Sequence, residues 1–181
     1  MRSSFDAAIE EIFERVPGYV DTAAVGLPTR AGAAALDRRH AEWREGRTQP
    51  VSFDPEVERS RQAYARIVGS ASAEVAIVSQ VSAVSGVVAA SLDEGAVVLA
   101  DEEDFTSVLF PFMAHADRGV EVTTVPVPRL AEAIDSTTTI VAFSAVQSAN
   151  GEVADLDAIV AAARHHGAMV AVDETPDCGW L

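Results

Sequence analysis

Ala168-Met169-Val170-Ala171-Val172-Asp173-Glu174-Thr175 is the stretch that decides the fold. An apolar run of strand length, with no polar residue on either face, reads as a strand buried in a parallel sheet, and here it ends directly on a carboxylate. Just upstream, Leu156, Ile159, Val160 and Ala163 recur at helical spacing, with Asp155 as a cap and Gly167 as a stop. The same couple repeats toward the amino terminus. Glu74–Val78, Ala96–Ala100, Val120–Val125 and Thr139–Phe143 read as further strands. Helices are expected at about Val81–Leu92, Ser107–Ala116 and Arg129–Ile134. Such alternation predicts an α/β fold, a mainly parallel sheet with helices on both faces.

Residues before 70 read differently. Phe5–Val16 has helical spacing and is ended by Pro17-Gly18, and Tyr19–Thr22 reads as a short extended piece. A helix is expected from Pro28, with Ala33, Leu36, His40 and Trp43 on its inner face and Gly46 as its stop. Asp54-Pro55-Glu56 then starts a helix running to about Val68. The expected organisation is a helical arm over residues 1–70 and an α/β domain over 71–181. The final Trp180-Leu181 follows a buried strand with nothing to cover it, so the α/β domain reads as incomplete and its open edge as prone to association.

Composition narrows the function. There are 13 basic and 28 acidic residues, a formal net charge of −15, and every basic residue is arginine. A surface this acidic repels a phosphate backbone, which argues against nucleic-acid binding. The apolar runs are too short to cross a bilayer and no leader is evident at the start, so a cytoplasmic location is expected. A lone cysteine, Cys178, fits a reducing compartment and reads as a passive thiol. With no lysine, the chain has no side-chain amine for covalent catalysis.

In open α/β sheets ligands bind beyond the carboxyl ends of the strands. The loops there are Ser79–Ser82, Asp101–Phe105, Ser144–Gly151 and Asp173–Thr175. Glycine fingerprints for dinucleotides and the phosphate loop are missing, as is the G-x-S-x-G nucleophile elbow. His165-His166 reads as a solvated helix end, and Asp101–Asp104 as a solvated acidic loop in preference to a cation site. More informative is Ser82, at a helix start where free N–H groups and a hydroxyl suit a phosphate monoester. Asp173, at the end of an apolar strand with no lysine to pair with, suits a cationic or protonated ligand group as well as it suits a turn.

These loops, in this order, resemble the class V aminotransferase group of pyridoxal-phosphate enzymes, which includes cysteine desulfurases, selenocysteine lyases and isopenicillin N epimerase-like proteins. The segments that carry the resemblance are Tyr19–Pro28, Ser79–Ala83, Asp104–Pro111, Gln147–Gly151 and Val172–Trp180. The resemblance implies the large domain of the fold-type I enzymes and pyridoxal 5′-phosphate as cofactor, with residues 1–70 including the segment at the active-site mouth. By resemblance, Val81 (through its N–H) and Ser82 hold the phosphate, Phe105 stacks on the ring, Gln147 or Ser148 bonds the phenolate region, and Asp173 pairs with the ring nitrogen. It also implies an amino-acid substrate and transamination, desulfuration or related lyase chemistry. A homodimer, or association with a carboxyl-terminal part, is the implied assembly. Two positions depart from the pattern. Pro176 stands where relatives commonly have a glutamine that contacts the cofactor, and the lysine to which they attach it is missing. The chain is therefore expected to be inactive alone and to bind the cofactor only non-covalently. The competing expectation is a non-catalytic relative serving as a binding or interaction module.

Overall fold

The computed structural model describes residues 4–179, with side chains from residue 8 onward. The expected break at Trp180-Leu181 lies outside the described residues. The chain forms two compact units, Met1–Arg59 and Ser60–Leu181.

In the second unit, β1 (Val97–Asp101), β2 (Glu121–Val125), β3 (Ile140–Ser144) and β4 (Met169–Asp173) form one parallel sheet in the order β2-β1-β3-β4. The register pairs Leu99 with Val141, and Val141 in turn with Val170. Alternation along the central strands sends side chains to two cores. Val98, Ile140 and Ala142 pack with Ala89, Leu92, Val108 and Phe112 on one face. Leu99, Val141 and Phe143 pack with Leu130, Ile134, Ile159 and Ala163 on the other. The first face is covered by α4 (Val81–Ser91) and α5 (Thr106–Met113), the second by α6 (Leu130–Ala133) and α7 (Leu156–His166). The expected parallel α/β architecture is thus present, and α7 has its Asp155 cap, whose carboxylate accepts from the Ala158 N–H at 3.0 Å, and its Gly167 stop at φ 77°.

One expected strand is absent. Ser72–Glu74 forms a 3₁₀ turn, and the chain from Val75 to Val78 is irregular. Its backbone groups are taken by a side chain in place of a neighbouring strand: Arg61 donates to Val75 O at 2.7 Å and to Ser72 O at 2.6 Å, while Val75 N–H closes the turn on Ser72 O. Ile77 and Val78 consequently remain exposed.

The first unit contains α1 (Ser4–Ile12), α2 (Arg30–Arg44) and the start of α3 (Asp54–Val68). α1 ends earlier than expected because Phe13 forms an antiparallel bridge with Thr29. Thr29, with its hydroxyl accepting from Gly32 N–H at 3.0 Å, caps α2, so that helix starts after Pro28 and not at it. Tyr19–Asp21 joins no strand and a turn begins at Thr22: Ala24 and Val25 N–H groups both turn back to Asp21 O, and the Tyr19 hydroxyl donates to Val25 O. The expected inner face of α2 is also displaced. Leu36, His40 and Trp43 are exposed, and the more sheltered side carries Arg39, which pairs with Glu42 at 2.8 Å and Glu56 at 2.5 Å and lies over the Phe53 ring. An ion-paired arginine stem thus takes the sheltered place that hydrophobic spacing assigned to leucine and tryptophan.

Candidate functional site

The sheet order changes direction between β1 and β3, the crevice where open α/β sheets bind ligands. Here its mouth is closed by a polar clasp. Asp104, after β1, accepts the Ser144 N–H at 2.6 Å and the Ser144 hydroxyl at 2.5 Å, both from the end of β3, as well as the Phe105 N–H at 2.7 Å. Asp104 and Ser144 are buried, and so is Asp101, whose carboxylate accepts from Glu103 N–H at 3.2 Å. The acidic run is thus not the solvated loop it was expected to be: Glu102 and Glu103 face solvent, whereas Asp101 and Asp104 are internal. Burial pushes the Asp101 carboxyl above the usual aspartate range, and the negative charge of Asp104 adds to the effect. Among the described residues no group of three or more His, Cys, Asp or Glu side chains is arranged to hold a metal ion.

Beside this clasp a cavity of about 490 Å³ opens at the carboxyl end of β4, a volume suited to a small molecule. Ser79, Gln80 and Val81 at the start of α4 line it, as does Asp173 from the last position of β4. Val84, Val88, Phe112 and Ala171 supply apolar wall. Gln80 occupies the cap position of α4 but its side chain makes no capping bond, which leaves the helix start open to an anion. One oxygen of Asp173, Oδ1, accepts from Thr175 N–H at 2.9 Å.

The structure brings together two of the sequence-selected residues, Val81 and Asp173, in this one cavity. Ser82, one position further into α4, is half-buried and not among the lining residues. Phe105 caps α5 and is 59% exposed, outside the lining. Gln147 is buried, with its amide donating to Ser144 O at 3.2 Å, and Ser148 is exposed. His165 and His166 sit exposed at the end of α7 with their rings edge to face. Sequence reasoning missed Tyr64 and Ser85 as lining residues, and placed no weight on Cys178, whereas Thr175 lies in a loop it had singled out. Ser85 was findable, since it lies one helical turn beyond Val81; Tyr64 was not, since it arrives from α3. The Tyr64 hydroxyl is 3.7 Å from Cys178 Sγ. That hydrogen bond, with burial and the charges of Glu174 and Asp177, raises the phenol above its ordinary pKa.

No curated protein sequence is a significant match. Among solved structures, the cysteine desulfurase CsdA from Escherichia coli is 20% identical with a TM-score of 0.77, over 92% of this chain and 48% of that one. A C-DES variant with glycine covalently linked to its PLP cofactor is 18% identical with a TM-score of 0.76, over 88% and 47%. An apo cysteine desulfurase from Thermococcus onnurineus NA1 is 19% identical with a TM-score of 0.73, over 96% and 48%. These likenesses establish a shared fold, and the chain spans about half the length of the structures it matches. The sequence profile described as Aminotransferase class-V matches residues 37–178, most of the chain, and the protein therefore belongs to the class V aminotransferase family.

Proposed function

We propose that the cavity between the start of α4 and the end of β4 holds pyridoxal 5′-phosphate, and that this chain contributes its part of the site to transamination, desulfuration or related lyase chemistry on an amino acid. The supporting observation is that an uncapped helix start and the Asp173 carboxylate line the same cavity. The residues present fit the group: an open helix start suits a phosphate, a carboxylate suits a protonated ring nitrogen, and Val84, Val88 and Ala171 suit a flat apolar ring. When bound, the cofactor supplies an electron sink for charge that develops at an amino acid's α-carbon.

In this reading the Val81 N–H and the Ser82 hydroxyl receive the phosphate, and the negative charge of Asp173 keeps the ring nitrogen protonated. Phe105, Gln147 and Ser148 join the site only if the loops that carry them reorient on binding. The 181 residues contain no lysine, so the amine that the chemistry needs comes from outside them, and the chain by itself is inactive. Residues 1–70 serve as the helical arm and 71–181 as the cofactor-binding part. The partner is a second copy, as a homodimer, or a separate segment, and of the two only the segment can supply the lysine that this sequence lacks. Among the described residues no helix is long and apolar enough to cross a membrane. With the single cysteine, we take the cytoplasm as the place of action.

A second reading, a non-catalytic relative serving as an interaction module, is favoured by Pro176, which puts a ring without a donor where relatives place glutamine. One titration separates the two. Pyridoxal phosphate is added to the chain and followed by cofactor absorbance, with Asp173→Ala and Ser82→Ala in parallel. Saturable binding that weakens in both variants supports the cofactor site. Binding indifferent to both substitutions, or absent, overturns it and leaves the interaction module.

A further inference from the structure

A second cavity, of about 520 Å³, lies next to the first and shares Glu174 and Cys178 with it. Its other walls come from the end of α3 (Ile67, Val68), the stretch between β3 and α7 (Val153), the start of α7 (Leu156) and the loop after β4, which contributes Asp177. Asp177 is only 7% exposed, and its Oδ1 has no hydrogen-bond partner among the described residues. A buried carboxylate oxygen without a partner is costly, and the cost is relieved by a donor, most effectively a cationic one.

We propose that this cavity binds a small aliphatic ammonium compound, whose ammonium group is received by Asp177 and whose hydrocarbon part lies along Ile67, Val68, Val153 and Leu156. Charge favours a cation here. Glu174 lines the same cavity, Asp173 acts on Asp177 through its charge, and the ion pairs of the described residues include none of these three acids. A metal ion does not fit, since no convergent ligand set exists among the described residues. The aliphatic part follows from the walls: Ile67 and Val153 are 63% and 54% exposed, and covering them removes apolar surface from water. Rotation about the terminal torsion of Asp177 turns an oxygen toward an incoming donor at little cost.

The site is independent of the cofactor reading, and its test uses no cofactor. The chain is titrated calorimetrically with n-pentylammonium, and in parallel with pentanoate and 1-pentanol. Saturable binding of the ammonium is expected, with the other two at least ~10-fold weaker, a difference equal to one charge-assisted hydrogen bond. Asp177→Asn is expected to weaken the ammonium about 10-fold while folding normally, because it removes a buried unpaired charge. Val153→Trp, at an exposed position on the cavity wall, is expected to block it. No saturable binding, equal binding of pentanol, or equal binding by Asp177→Asn overturns the proposal. If Asp177→Asn does not fold, undiminished binding by Val153→Trp overturns it in the same way.

Discussion

The Asp104 carboxylate takes both polar hydrogens of Ser144, one from its backbone and one from its hydroxyl, and so ties the loop after β1 to the end of β3. β1 and β3 are paired neighbours whose following segments diverge, β1 leading to α5 and β3 to the loop before α7. Without a side chain in the gap, the Ser144 N–H has no carbonyl to bond at that point. The clasp satisfies it and holds in place the loop that starts α5, whose Val108 and Phe112 wall the candidate cofactor cavity.

Asp104→Ala leaves the buried Ser144 donors unpaired. Loss of a charged partner to a buried donor costs about 2–4 kcal/mol, and Ser144→Ala, which keeps the backbone bond, is expected to cost about 1 kcal/mol. Urea denaturation of both variants and the double variant checks this, the double costing less than the sum because the residues interact.

Asp101 governs part of the pH dependence of stability. Burial raises its carboxyl above the unfolded aspartate value, so the folded chain holds a proton that the unfolded chain has released. Its contribution therefore favours folding at low pH and is lost as pH rises from about 4 through the raised folded value. Asp101→Asn is expected to be the more stable at neutral pH, with the gap closing toward pH 4. Denaturation midpoints for both chains from pH 4 to 7 provide the check. Asp135 has the opposite sign: hydrogen bonds from the Thr137 hydroxyl and N–H hold its carboxyl below the usual range. Its contribution is present above the unfolded value and is lost as pH falls through the folded one.

Arg61 stands where a strand partner was expected. Arg61→Ala removes the donors to Ser72 O and Val75 O and is expected to cost about 1–3 kcal/mol. Hydrogen exchange provides the sharper readout, with protection expected to fall in residues 72–78, ahead of α4, and to remain unchanged in β1 and β3.

The cap of α7 is a local feature. Asp155→Ala is expected to cost about 1 kcal/mol and Gly167→Ala about the same, the first through a lost N-cap bond and the second through a left-handed backbone angle. Thermal unfolding of both variants and their combination is expected to show additive shifts, because the two ends of the helix share no partner.

For the cofactor reading, Asp173→Ala is expected to weaken pyridoxal phosphate about 10-fold or more, the worth of a bond to a charged group, and Ser82→Ala by several-fold. Cofactor absorbance during titration measures both.

Apolar periodicity alone determined four strands, the α4–α7 series and the parallel sheet, because a chain buried on both faces must present continuous apolar runs between amphipathic helices. It also placed Val81 and Asp173 at the ends of elements, where the register then brought them to one cavity. Tertiary structure alone decided the rest. Glu74–Val78 has the apolar content of a strand, but the Arg61 side chain reached its carbonyls first, and hydrogen-bond competition across 14 residues is invisible to periodicity. Leu36 and Trp43 have the spacing of a buried stripe, yet the Arg39 ion pairs took that side of α2. Asp101 and Asp104 look like surface charge in a run of four acids. Asp104 is internal because Ser144, 40 residues away, offered it two donors, and Asp101 is internal with its carboxylate accepting from the Glu103 N–H. Periodicity reports which face of an element is apolar, whereas the partners of its polar groups depend on what the fold brings next to them.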